Sequence, residues 1–446
     1  MPPGIPYIVG NEAAERFSFY GMKAILTIFM TQHLVSASGE SATFSDEEAK
    51  GIFHLFTAAA YVFPVVGALL SDILWGKYRT ILYLSLGYCV GHAALALGDT
   101  ELGRGLMEPR AWLYAGLILI AVGAGGIKPC VSAHLGDQFG TKNQRLIPRA
   151  FSWFYFSVNV GATVSFLLTP VLLEHLGPSV AFGVPGVLMA IALLVFWLGR
   201  HRFAHVPAAG ARRFAREIVG PDGLRALMNL AVVYLLIAPF WALFDQTGSS
   251  WVLQAEAMDR HFLGVEWLSS QIGAVNPVLV LLLIPLFSYV IYPWANRHVA
   301  VTALGKIAVG MFLASLAFVI TAWVQMGIDA GEKPNIGWQL VAYLVLTCAE
   351  ILVSITALEF SYTQAPRRMK SIIMAAYMAS VFLGNAFTSA VNFLIATPDG
   401  PGRLQGSSYF WFFAGIMFVS AALFLPTMRL YKGQTFIQGE EGSRPA

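Results

Sequence analysis

Charge is what this sequence has least of. Of its 446 residues only 12% are charged, about half the fraction of a soluble domain, whereas 57% are hydrophobic. That balance excludes an ordinary soluble domain. Cysteine is nearly absent as well: Cys89, Cys130 and Cys348 all lie within apolar runs, which excludes a disulfide framework and a thiolate metal site. The formal net charge of +3 is small and the basic residues are spread over many short segments, so nucleic acid is excluded as a partner. The run before Glu12, MPPGIPYIVGN, has no basic start, and no cleavable signal peptide is expected. No His-Glu-x-x-His, nucleophile elbow or phosphate loop occurs, so nothing points to an enzyme, and neither a metal nor a cofactor is expected.

What is present is apolar length. A membrane-crossing helix needs roughly 20 mostly apolar residues. Twelve such runs occur, at 6–35, 50–75, 79–98, 110–138, 148–173, 178–199, 224–253, 269–294, 302–327, 337–364, 370–397 and 407–430. An Arg-rich stretch with Gly and Pro separates the sixth from the seventh. The expected fold is therefore all-α and membrane-embedded: a six-helix bundle over 1–199, a cytoplasmic linker over 200–223, a second six-helix bundle over 224–432 and a cytoplasmic tail over 433–446. With the N-terminus inside, cytoplasmic segments carry eighteen Lys and Arg residues and outer segments six. The positive-inside rule then places both termini in the cytoplasm. A monomer in a bacterial inner membrane is expected, with the lipid bilayer as its surroundings.

The few charges inside these runs are therefore informative. Burying an ion in hydrocarbon costs at least ~2.5–3.5 kcal/mol, so such residues face a protein interior or a water-filled cavity. On the first run Glu12, Arg16 and Lys23 fall within about 40° of one another, with Glu15 and Tyr20 on the flanks of the same face. Lys128, on the fourth run beside Gly123, Gly125, Gly126 and Pro129, reaches a similar depth and is expected to pair with Glu12 or Glu15. His54, one end of the second run, suits a proton entry group, with Tyr61 two turns deeper, although a lone histidine in a helix is more often structural. Asn159 is either a helix-packing hydrogen bond or a cavity group.

In the second half, Trp241 and Asp245 are four residues apart, and Gly248, Ser249 and Ser250 are expected to loosen the helix end beyond them. A carboxylate there suits a gate. Asn276 precedes Pro277, and Pro285 comes later in the same run, so the eighth run is expected to bend. Glu350 lies near the middle of the tenth run and shares a face with Ser354, whereas Glu359 points away from them and is expected inside the second bundle. The sum is a dipolar site, with Arg16, Lys23 and Lys128 as its cationic end and Glu350 as its anionic end. A zwitterion a few residues long complements both.

Two sets of residues resemble known families. The stretch GALLSDILWGKYRT, with Asp72, Gly76, Lys77 and Arg79, resembles the loop signature of the major facilitator superfamily. Asp72 there would latch helix ends in one conformation and release them in another. The stretch EAAERFSFYG, from Glu12 to Gly21, resembles the Glu-x-x-Glu-Arg motif of the proton-dependent oligopeptide transporters, and four further stretches match in that family's order: GAGGIKPCVSAHLGDQF, FYFSVNVGA, FWALFDQTGSSW and AEILVSITALEFSYTQAP.

The resemblance implies a major facilitator fold and symport of di- and tripeptides, and of peptide-like drugs, with protons by alternating access. The proton gradient is the driving force. By the same resemblance Glu12, Glu15, Arg16, Lys128 and His54 would couple the proton, and Asp72 and Asp245 would gate. The peptide carboxylate would meet Arg16, Lys23 and Lys128, its amino group Glu350, with Tyr20, Tyr61, Asn159, Trp241, Asn276 and Ser354 lining the site. Departures are Phe19 in place of the first tyrosine of the motif, Lys23 where arginine is common, Tyr377 where tryptophan is common, and a linker too short for two extra helices. The alternative is a carrier of a nitrate-like anion or a drug on the same scaffold, which would have no need of Glu350.

Overall fold

The computed structural model describes the chain except residues 141–142, 209–220, 365–369, 397–403, 432–433, 436–443 and 446. The main helices are α1 Ile5–Ile28, α2 Asp46–Leu69, α3 Gly76–Gly98, α4 Pro109–Asp137, α5 Ile147–Leu176, α6 Pro178–Leu198, α7 Pro221–Phe244, α8 Val275–Leu286, α9 Ala303–Asp329, α10 Gly337–Glu350, α11 Lys370–Ile395 and α12 Ser407–Leu430. Among the described residues ten runs are long and apolar enough to cross a membrane. One of these, Asp46–Gly98, holds both α2 and α3; α1, with its Glu12, Glu15, Arg16 and Lys23, is not among the ten. Of the stretches singled out above, linker residues 209–220, tail residues 433, 436–443 and 446, and the basic residues Lys142, Arg212, Arg213, Arg216, Arg367, Arg368, Arg403 and Lys432 lie outside the described residues.

Helix ends reflect local chemistry. Ser45 caps α2 reciprocally: its hydroxyl accepts from the Glu48 N–H at 3.2 Å, and the Glu48 carboxylate accepts from the Ser45 N–H at 3.0 Å. Thr302 caps α9 by accepting from the Gly305 N–H at 3.1 Å. The chain turns from α2 into α3 at Gly76, whose φ of 73° is open to glycine and strained for other residues. Among the described residues four helices run on into π turns, at Phe29–His33, Leu70–Trp75, Phe287–Ile291 and Ile351–Ile355. The third comes directly after Pro285 and Leu286. The loosening expected beyond Asp245 is a 3-10 turn over Asp245–Gly248 and a short helix over Ser250–Glu256.

Packing divides the chain into two units, Met1–Ala211 with Leu268–Pro277, and Arg212–Trp267 with Val278–Ala446. Within the first, α3 packs on α4 and α6, α2 on α4, and α1 on α5 and α6. Within the second, α9 packs on α10 and α12, and α7 on α11 and α12. The second set repeats the first with each helix number raised by six, the pattern of a duplicated half. Leu283 and Phe287, from α8 and its π turn, cluster with Ile351 and Leu352 beyond α10 in the same way that α2 meets α4. The stretch Ser269–Ala274, just before α8, belongs to the first unit: Gln271 donates to the Leu167 carbonyl at 3.0 Å. Large apolar side chains such as Val90, Leu235, Leu282 and Phe418 are exposed along the helices, where lipid would meet them.

Candidate functional site

In the first unit the charged stripe of α1 is a buried triad. Arg16 Nε lies 2.7 Å from Glu12 Oε1 and 2.9 Å from Glu15 Oε2, and both carboxylates are almost wholly buried. Helical spacing makes this possible: Glu12 and Arg16 are one turn apart, and Glu15 adjoins Arg16. Lys128 acts electrostatically on Glu15 and has its ammonium 4.3 Å from the ring centroids of both Phe19 and Tyr61. The glycines beside it permit that approach. A Cβ on Gly125 would stand 2.8 Å from the Ala60 carbonyl and one on Gly123 2.7 Å from Tyr88 Cβ. Tyr20 packs edge-on against Phe19 and tilted on Phe166 of α5. Lys23 stands 5.1 Å over Phe53, whose ring meets that of the fully buried His54. Asn159 donates to the Tyr155 carbonyl of its own helix at 2.9 Å. Asn276, half-buried, lies near the end of the stretch 268–277 that belongs to the first unit.

At the turn between α2 and α3, Asp72 lies in the π turn and accepts a long hydrogen bond from Ser71 at 3.5 Å. The tight ion pair here joins Lys77 to Asp137 at 2.5 Å, tying the start of α3 to the end of α4. Sequence reasoning missed Asp137. The signal was available, since a basic loop residue at a helix end needs a carboxylate and Asp137 ends the fourth apolar run.

In the second unit Glu350 ends α10 and opens the π turn that carries Ser354; both are half-buried. Tyr377 of α11 donates to the Ser354 carbonyl at 3.2 Å, and its ring meets Trp241 of α7 at 6.3 Å. Glu350 acts electrostatically on Tyr377, so Trp241, Tyr377, Ser354 and Glu350 form one neighbourhood. Asp245 lies beyond α7, where Asn385 of α11 donates to it at 2.8 Å. Asn385 was not singled out from the sequence, because 140 residues separate it from Asp245. Glu359, expected inside the second bundle, is exposed instead and acts electrostatically on Tyr292 of the same unit. Among the described residues no group of three His, Cys, Asp or Glu could hold a metal ion.

The family model described as "POT family" matches residues 78–219 and 212–411. The chain belongs to the POT family. It is 37% identical to Peptide transporter family 1 of Drosophila melanogaster over 74% of this chain and 48% of that protein. It is 38% identical to Peptide transporter 3 of Caenorhabditis elegans over 75% of this chain and 53% of that protein. The chain thus spans about half the length of the curated relatives it matches. The in meso crystal structure of the POT family transporter PepTSo superposes with a TM-score of 0.87 at 34% identity, covering 97% of this chain and 98% of that one. The fold is accordingly the all-α major facilitator fold of POT transporters, a transporter family and not an enzyme family. The protein is an integral, multi-pass membrane protein.

Proposed function

We propose that the chain imports di- and tripeptides together with protons by alternating access. The observation that carries this reading is the triad of α1, in which one guanidinium holds two buried carboxylates at 2.7 and 2.9 Å. Within the triad one positive charge stands between two negative ones, so the second carboxylate depends on Lys128 or on a proton for its balance. Glu12, Glu15, Arg16, Lys128 and His54 form the coupling machinery. Arg16, Lys23 and Lys128 take the peptide carboxylate, and Glu350 takes its amino group. Tyr20, Tyr61, Asn159, Trp241, Asn276 and Ser354 line the path of the peptide, whose backbone is common to all substrates and to peptide-like drugs. Asp72 and Asp245 serve the gates. The relatives named as peptide transporters support the substrate class.

The arrangement we propose has twelve spans in two bundles, 1–199 and 224–432, with the linker 200–223, both termini and the tail 433–446 in the cytoplasm. The protein works as a monomer in a bacterial inner membrane, driven by the proton gradient without a cofactor. Uptake of labelled dialanine into proteoliposomes tests the reading. Accumulation only under an inward proton gradient, abolished by a proton carrier, is the expected result. A folded protein that moves no peptide but carries a nitrate-like anion or an amine would overturn it.

A further inference from the structure

The first unit buries polar groups that its own hydrogen bonds do not satisfy. Both side-chain polar atoms of Asn11, both carboxylate oxygens of Glu15, the hydroxyls of Ser85 and Tyr88, and both ring nitrogens of His92 have no hydrogen-bond partner among the described residues. All five residues are at most 1% exposed. Glu15 keeps its ion pair with Arg16, which does not have hydrogen-bond geometry, and the Phe182 carbonyl polarises His92 without meeting that geometry either.

These groups lie together. Asn11 and Glu15 are one turn apart on α1, and Ser85, Tyr88 and His92 repeat at intervals of three and four on α3. Glu15, Arg16 and Glu12 act electrostatically on Tyr88, and Tyr88 stacks on His92 with ring centroids 5.1 Å apart. Both helices pack on α6 and converge at neighbouring residues of it. Ser18 of α1 donates to the Pro185 carbonyl at 2.6 Å, and a Cβ on Gly186 would stand 2.7 Å from that of His92.

We infer that Asn11, Glu15, Ser85, Tyr88 and His92 enclose internal water between α1, α3 and α6, which extends the proton connection of Glu15 along α3. Left dry, so many buried polar atoms would cost an amount comparable to the net stability of a whole domain. A buried water makes about three hydrogen bonds, so two or three waters would meet the set. Tyr88 gives and accepts a hydrogen bond through one oxygen, and a neutral imidazole donates at one nitrogen and accepts at the other. A proton taken up by water beside Glu15 can thus pass by hydrogen-bond exchange to Tyr88 and His92 while another leaves, with charge conserved at each transfer. Tyr88 and His92 hold this water and do not touch the peptide. The proton role rests on the coupling proposed above; the water site does not.

The test is X-ray radiolytic footprinting of the full chain in nanodiscs, in which radicals born from ordered internal water label the side chains beside it. Tyr343 is the control, as buried as Tyr88 but with its hydroxyl donated to the Thr247 carbonyl. Tyr88 is expected to label several-fold faster than Tyr343, because it stands beside bound water and Tyr343 does not. Equal rates would overturn the water site, whatever the protein transports. In proteoliposomes, Tyr88→Phe and His92→Leu should lower gradient-driven accumulation several-fold while peptide counterflow persists, and His92→Gln, which keeps a donor and an acceptor, should restore it. Fast labelling of Tyr88 with accumulation unchanged in both variants would overturn the proton connection alone.

Discussion

The ammonium of Lys128 stands 4.3 Å from the ring centroid of Phe19, and Tyr61 faces it at the same distance. A desolvated ammonium gains about 2 kcal/mol from an aromatic face, and that gain needs the ring and not a hydroxyl. Phenylalanine at position 19 therefore keeps what tyrosine would offer Lys128. Phe19→Leu, which removes the ring, should lower thermal stability in detergent by about 1–2 kcal/mol. A leucine variant as stable as the parent would remove the ring from the account of Lys128.

Arg16 pairs with two carboxylates at once, so its loss should be the most damaging change in the triad. Arg16→Leu leaves Glu12 and Glu15 buried as adjacent like charges, at a cost of about 3–5 kcal/mol. Glu15→Gln leaves the Arg16–Glu12 pair intact and should cost less. Under the proposed coupling Glu15→Gln also abolishes accumulation driven by a proton gradient but not counterflow of peptide. The order of the two unfolding temperatures checks the first statement, and paired uptake assays check the second.

Under the proposed function Glu350 discriminates between a peptide and an anion as cargo. Removing a hydrogen-bonding carboxylate from a charged partner costs about 1.5–3 kcal/mol, or roughly 10- to 100-fold in affinity. Glu350→Gln should weaken dialanine by that factor and leave N-acetylated dialanine, which has no ammonium, nearly unaffected. Equal losses for both ligands would place the amino group elsewhere.

Much of this was legible in the chain itself, because helical period and apolar length are local properties. The ends of α3, α4 and α6 fall within a few residues of the apolar runs, and the face shared by Glu12, Arg16 and Lys23 comes from 3.6 residues per turn. The features that stayed hidden depend on which helices meet. Lys77 finds Asp137 across 60 residues, Asp245 finds Asn385 across 140, and Tyr234 finds Ser361 across 127. No periodicity encodes those distances. The π turn after Glu350 was hidden for a different reason: one added residue in a helical turn changes no composition. Hydropathy likewise says nothing about which unit a short stretch joins, as with Ser269–Ala274.

Outside the membrane helices, Asp259 organises the loop between α7 and α8. Its Oδ1 accepts from the His261 N–H at 3.1 Å, and its Oδ2 from the Asn335 amide at 3.0 Å. The His261 backbone donor first, then Asn335, holds its carboxyl below the ordinary value. A depressed acid stabilises the fold above its unfolded pKa of about 3.9 and loses that contribution as the pH falls through the lower, folded value. Amide-exchange protection over 259–267, corrected for intrinsic rates, should therefore hold from pH 7 to about 5 and fall only below about 4. Asn335→Ala should move the fall to higher pH. A decline already complete at pH 5 would mean that the Asp259 carboxylate does not hold the loop.

The pair between Lys77 and Asp137 is short, at 2.5 Å, and each side chain is 21% exposed. Exposed ion pairs contribute about 0–1 kcal/mol, while a short charge-assisted bond with partial burial stands at the upper end of that range. A double-mutant cycle with Lys77→Ala and Asp137→Ala should thus return a coupling of about 1 kcal/mol. The exchange Lys77→Asp with Asp137→Lys should recover part of what either reversal alone loses. The coupling matters because Lys77 comes directly after Gly76, where the chain reverses with φ at 73°. A backbone turn so constrained fixes where α3 begins, and the ion pair then fixes α3 against α4. Zero coupling would mean that the Gly76 turn alone sets that register.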